Sequence, residues 1–161
     1  MTSKSRYAIK IMMDLAYHRD KPHVHRHEIA KRQGIPADYM DQILVRLRRG
    51  EFISSVRGRG GGYRLAKPAA TIDMWQLFSV VEDHFQPVMC QEEVRSCAYE
   101  LSCVSKPAWD TIVDGIRSTL QNLTLEDLLH QTPALHEMCP VGGLRECRPG
   151  GTAKRKSAVD S

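Results

Sequence analysis

Residues 27–65 read HEIAKRQGIPADYMDQILVRLRRGEFISSVRGRGGGYRL. In a helix from His27 to Gln33 the inward positions are Ile29 and Ala30. Gly34 follows where that helix would stop, because a residue without Cβ adopts the left-handed closing conformation at no steric cost. Pro36 stands in the first turn of a second helix, where its missing N–H removes no bond. This second helix extends to about Arg49, carries Tyr39, Met40, Ile43, Leu44 and Leu47 as its apolar set, and ends at Gly50. A short helix, a tight glycine turn and a second helix make a helix-turn-helix.

Directly after it, Phe52–Val56 reads as a strand, Arg57–Gly62 as a turn and Tyr63–Ala66 as a returning strand, which is a wing. The glycines do not form a nucleotide loop. Gly58 and Gly60 begin a G-x-G, but Tyr63 stands where the third glycine would be, and no Gly-Lys-Ser/Thr follows. They permit tight turns and close backbone approach instead. Arg57, Arg59 and Arg64 supply positive charge for phosphates or a minor groove. A hairpin tip buries nothing, so Arg57 and Arg59, with Gly60 beside them, are predicted DNA contacts.

If residues 36–49 are the recognition helix, its first positions face base edges, and these are Asp38, Tyr39, Asp41 and Gln42. Gln42 can pair bidentately with adenine. Asp41 can accept from cytosine, or reject other sequences by leaving its carboxylate unpaired. Arg46 is placed with the phosphate contacts, Arg48 and Arg49 sharing that reading with solvated surface.

Upstream, residues 5–19 place Tyr7, Ala8, Ile11, Met12, Leu15 and Ala16 at helical spacing, and His18, His23, His25 and His27 read as surface histidines. Downstream, Thr71 is the expected cap of a helix from about Asp73 to Glu82, with Ile72, Trp75, Leu77, Phe78 and Val81 as core. Periodicity fades from 84 to 104. It returns over 105–121 as a stripe of Ala108, Trp109, Ile112, Val113, Ile116 and Leu120, which suits packing against a second copy of the chain. Thr124 with Asp127 reads as a capping box opening a short helix, Leu125 to His130. The predicted fold is mainly α with a small β-hairpin wing: a winged helix-turn-helix over 1–83, a cysteine loop over 84–104, a long dimerisation helix and short helix over 105–133, and a flexible tail over 134–161.

Charge agrees with this division. The net charge is +4, yet residues 1–70 hold 15 Lys and Arg against 6 Asp and Glu, whereas residues 71–161 hold 8 against 13. A basic first half points to a polyanionic partner. No run approaches the roughly 20 apolar residues of a membrane span. The chain start, MTSKSRYAIKIMMDLA, lacks the pattern of a signal peptide. A cytoplasmic protein is expected, its five cysteines being reduced thiols or metal ligands. No paired carboxylates, nucleophile elbow or nucleotide loop nominates an enzyme.

Cys90, Cys97 and Cys103 form C-x6-C-x5-C. Soft thiolates select zinc, copper(I) or iron–sulfur clusters. The C-x2–4-C pairs usual at zinc are absent, and wider spacing suits a bulkier group. On the residues alone, a cluster, zinc and redox-active thiols all stand open. Cys103, at a helix start, gains from the helix dipole. Cys139 and Cys147 are spaced as no common metal motif and read as free thiols in the tail.

With these residues assembled, the chain resembles the iron–sulfur transcription regulators of the Rrf-two superfamily, of the IscR, NsrR and RirA type. Arg6-Tyr7-Ala8, Met13-Asp14-Leu15-Ala16, Ile29-Ala30, Gly34-Ile35, Gln42-Ile43-Leu44, Leu47-Arg48 and Ser55 to Leu65 carry the likeness, followed by the three cysteines, Ala108-Trp109 and Leu123-Thr124-Leu125. It spans roughly residues 3–130. It implies a homodimer on operator DNA, with the second helix of the motif in the major groove, the wing at the minor groove and an iron–sulfur cluster on Cys90, Cys97 and Cys103. Cluster state would then set which operators are bound, iron or redox state being the signal. A winged-helix regulator sensing zinc or thiol oxidation through the same cysteines is the alternative. The chain departs from the IscR pattern at Lys106, where a His ligand would stand, and from the NsrR pattern at Arg6, where an acidic ligand would stand. In this it is similar to the three-cysteine RirA type. His84, Glu92, Glu93, Glu100, Cys139, Cys147 or a small external molecule stay open as fourth ligand. The missing His favours 4Fe–4S, with one weakly held iron, over 2Fe–2S.

Overall fold

The computed structural model describes residues 2–58, 60–83 and 102–132. In chain order these form α1 (Ser3–Tyr17), α2 (Arg26–Gln33), α3 (Ala37–Arg49), β1 (Ile53–Val56), β2 (Gly62–Leu65), a 3₁₀ turn (Ala69–Thr71), α4 (Met74–Val81), α5 (Lys106–Gln121) and α6 (Leu125–Gln131).

Local chemistry sets most of the boundaries. Thr2 caps α1, its hydroxyl oxygen accepting from the Lys4 N–H at 3.1 Å. Gly34 closes α2 in the left-handed region, at φ 62° and ψ 39°, as its position in the sequence predicted. Thr124 and Asp127 complete the expected capping box of α6. The cap of α4 is a correction. Asp73 accepts from the Gln76 N–H at 2.8 Å, whereas the Thr71 hydroxyl donates to the Pro68 carbonyl inside the 3₁₀ turn. Asp73 sits one residue before the helix with a short acceptor, whereas Thr71 lies two residues earlier and its hydroxyl is held by the Pro68 carbonyl.

One hydrophobic cluster holds the described elements together. Ile11, Met12 and Leu15 of α1 meet Ile29 of α2, Met40, Ile43, Leu44 and Leu47 of α3, and Leu77, Phe78 and Val81 of α4. Leu125 of α6 is fully buried in the same cluster, so the chain returns to its first helix after α5. Backbone bonds reinforce that return: Met74 N–H donates to the Leu123 carbonyl at 3.0 Å and Leu125 N–H to the Ile72 carbonyl at 2.8 Å. Below the core surface, Asp14 of α1 is buried and accepts from Arg32 Nε at 2.9 Å, Arg32 Nη2 at 2.7 Å and Gln33 Nε2 at 3.1 Å. A forked guanidinium matched to a carboxylate fixes α2 against α1 in one orientation.

The hairpin pairs Ile53 with Leu65 and Val56 with Gly62 in antiparallel register. The structure adds a third edge. Val24, in the segment between α1 and α2, exchanges both backbone bonds with Tyr63 of β2, at 2.8 and 2.9 Å.

α5 is packed along a narrow line only. Val113 is its buried residue, and Arg117 lies over the Trp75 ring at 5.0 Å. Trp109, Ile112 and Ile116 are 40, 48 and 37% exposed and follow one another along one side of the helix. Among the described residues no helix is long and apolar enough to cross a membrane.

Candidate nucleic-acid interface and cysteine segment

α3 turns Met40, Ile43, Leu44 and Leu47 inward. The same helical period leaves Asp38, Tyr39, Asp41 and Gln42 exposed on its opposite side. The Tyr39 ring meets the Tyr7 ring edge-on at 5.8 Å, so this exposed aromatic is braced from α1. Asp41 is not free: Arg26, the first residue of α2, donates to its two carboxylate oxygens at 2.5 and 2.7 Å. The sequence reading missed Arg26. A charge 15 residues upstream carries no pairing signal until the glycine turn brings α2 and α3 together.

Arg46 leaves the exposed set. Its side chain is half-buried, and its guanidinium donates to the Val81 carbonyl at 3.1 Å and to Asp83 at 2.6 Å. Lys4 donates to the other oxygen of Asp83, also at 2.6 Å. With two cations donating to it, the Asp83 carboxyl is lowered to about 2. Beside it, burial alone would raise the carboxyl of Glu82, but donation from Ser5 and from Thr2 outweighs this and holds it below the usual range. The end of α4 is thereby tied to the starts of α1 and to the middle of α3, immediately ahead of residues 84–101.

In the wing, Arg57, Gly58 and Gly60 are exposed. Gly58 and Gly60 have φ of 117° and 91°, which L side chains rarely adopt. Arg59 lies outside the described residues. The histidines read as surface residues do more than that. His23 Nε2 lies 2.6 Å from the Gly60 carbonyl, and His25 Nδ1 lies 2.6 Å from that of Gly61. Their alternation around Val24 was the available signal, since residues two apart in an extended segment share a face.

Of the cysteines, Cys90, Cys97, Cys139 and Cys147 lie outside the described residues, as do the expected fourth-ligand positions His84, Glu92, Glu93 and Glu100. Cys103 is half-buried just before α5, its Sγ 3.3 Å from the Ser105 hydroxyl. The Ser105 side chain, then the backbone N–H groups of Ser105 and Lys106, favour its thiolate and hold the thiol below its usual value. That is the protonation state a soft metal ligand needs, so Cys103 fits a thiolate-held group. Lys106 pairs with Asp110 at 3.6 Å. Among the described residues no three His, Cys, Asp or Glu side chains converge on a metal position.

This combination of a helix-turn-helix, a β-hairpin and the long helix α5 recurs in known proteins. Residues 1–131 match the Rrf2 family, described as iron-dependent transcriptional regulators. The HTH-type transcriptional regulator IscR of Escherichia coli is 32% identical over 160 residues, covering 99% of this chain and 96% of that protein. Among solved structures, T. potens IscR superposes with a TM-score of 0.68 at 28% identity, over 87% of this chain and 92% of its own. CymR of B. subtilis, the global cysteine regulator, superposes at 0.66 and 28% identity, over 83% of this chain and 98% of its own. These relatives are transcriptional regulators rather than enzymes, and the chain belongs with them to the Rrf2 family of DNA-binding regulators.

Proposed function

We propose that this regulator works as a homodimer on operator DNA and senses iron or redox state through an iron–sulfur cluster held by Cys90, Cys97 and Cys103. The observation that carries the sensing half is the cysteine triplet itself, whose last member is a thiolate-favouring residue at the start of α5. A thiolate-held cluster supplies a redox- and iron-dependent group whose gain or loss changes the local charge and constraints on the chain. A 4Fe–4S cluster is favoured over 2Fe–2S, because Lys106 occupies the His position and is ion-paired.

On the DNA side, Asp38, Tyr39, Asp41 and Gln42 meet base edges in the major groove, and Arg57, Arg59 and Gly60 meet the backbone or the minor groove. Arg46, engaged by Asp83, is assigned to holding α3 in place rather than to phosphate. The second copy covers Trp109, Ile112 and Ile116 of α5, which removes an exposed apolar stripe and sets two reading helices on one duplex.

The test is native mass spectrometry of the full chain purified without oxygen. A dimer with about 350 Da of extra mass per subunit is the expected result for 4Fe–4S, and about half that for 2Fe–2S. Apo protein after attempted reconstitution would overturn cluster sensing. It would favour the second reading, a sensor of thiol state or of a cysteine-related signal, which the likeness to CymR and the lowered Cys103 thiol support.

A further inference from the structure

A two-stranded hairpin of four-residue strands is marginal by itself, and a glycine-rich turn makes it more so. The wing is nevertheless held from outside, at three consecutive residues. His23 reaches the Gly60 carbonyl, Val24 pairs with Tyr63 through both backbone bonds, and His25 reaches the Gly61 carbonyl. A carbonyl only accepts, so His23 carries its hydrogen on Nε2 and His25 on Nδ1. The contact needs the glycines as much as the histidines. A Cβ on Gly62 would lie 2.4 Å from the Val24 carbonyl oxygen and 3.0 Å from the His23 ring. The clamp also continues into the reading unit: the His25 ring meets His23 edge-on at 5.2 Å and stacks on His27, in the first turn of α2, at 5.8 Å. Arg26 between them holds Asp41 of α3.

We propose that His23 and His25 are positioning residues for DNA binding, fixing the wing turn relative to α2 and α3 by donating to the carbonyls of Gly60 and Gly61. The inference rests on the reading of the wing as a DNA-contacting element. Two surfaces that must enter neighbouring grooves together bind best when their separation is set before the encounter, and this clamp sets it.

The test pairs donor-removing with donor-keeping substitutions in the full chain. His23→Leu with His25→Leu removes both N–H donors. His23→Gln with His25→Asn places an amide N–H near each lost one. A duplex enriched from a random-sequence DNA pool by the unaltered protein serves as probe. The leucine pair is expected to bind it about tenfold more weakly and the amide pair within about threefold, at matched thermal stability. Equal binding by the leucine pair, or equal loss by both pairs, would overturn the proposal. Imidazole nitrogen NMR of the unaltered protein needs no variant: hydrogen on Nε2 of His23 and Nδ1 of His25 supports the clamp, and the opposite tautomers overturn it. Failure to enrich any duplex overturns the DNA reading and the positioning role with it, whereas the tautomers still report whether the bonds exist.

Discussion

Removing Asp14 takes the shared acceptor from Arg32 and Gln33 at the end of α2 and leaves Arg32 only its ion pair with Glu28 at 3.5 Å. Asp14→Ala is expected to cost about 2–4 kcal/mol, somewhat below a fully buried pair because the Arg32 side chain keeps some access to water. Urea unfolding followed by circular dichroism measures it. Arg26 partly neutralises the exposed Asp41 carboxylate, which the proposed function sets against base edges. Arg26→Ala is expected to weaken duplex binding by about three- to tenfold, and Asp41→Ala to recover part of that loss in the same chain. A double-mutant cycle of duplex affinities checks this, and additive losses would show that the pair does not act as a unit. Asp41 itself was legible as an exposed position of α3. Its partner was not, since any of several basic residues could have stood near it.

At the level of elements, α5 and the end of α4 make separate expectations. Ile112→Asp with Ile116→Asp places two charges on the exposed stripe while Val113 keeps the helix docked. The expected outcome is a monomer by light scattering, with a change of under about 1 kcal/mol in the unfolding of the protomer, as for surface positions. The helical period of 105–121 was readable from sequence, but which side faced its own domain was not, because the stripe is apolar across more than one face. At the end of α4, Asp83 makes one pH-dependent contribution to stability. The folded-state carboxyl of Asp83 lies at about 2 against an ordinary 3.8, so its contribution is complete above about pH 4 and is lost as pH falls through about 2. Melting temperatures between pH 5 and 2 should therefore fall less steeply in Asp83→Asn than in the unaltered protein.

For the whole molecule, the proposed function expects cysteine state to be coupled to DNA affinity. Cys103→Ala is expected to abolish bound iron and visible colour in anaerobically purified protein while leaving α-helix content unchanged. Its duplex affinity should equal that of the protein stripped of metal by a chelator. If the two states of the unaltered protein bind the enriched duplex identically, the sensing role fails although the DNA-binding role stands.

Local chemistry already dictates the periods of α1, α3 and α5, the glycine that closes α2, the capping box of α6, the hairpin, and the C-x6-C-x5-C spacing. Each of these depends on residues close together along the chain, where covalent connection already limits the distance. The partners of the polar side chains were set by packing instead. Arg46 meets Asp83 across 37 positions, His23 meets Gly60 across 37 and Thr2 meets Glu82 across 80. Such pairs have no period and no fixed spacing. Their geometry exists only after the hydrophobic cluster has packed the helices, which is why a surface arginine became a brace and two surface histidines became the anchor of the wing.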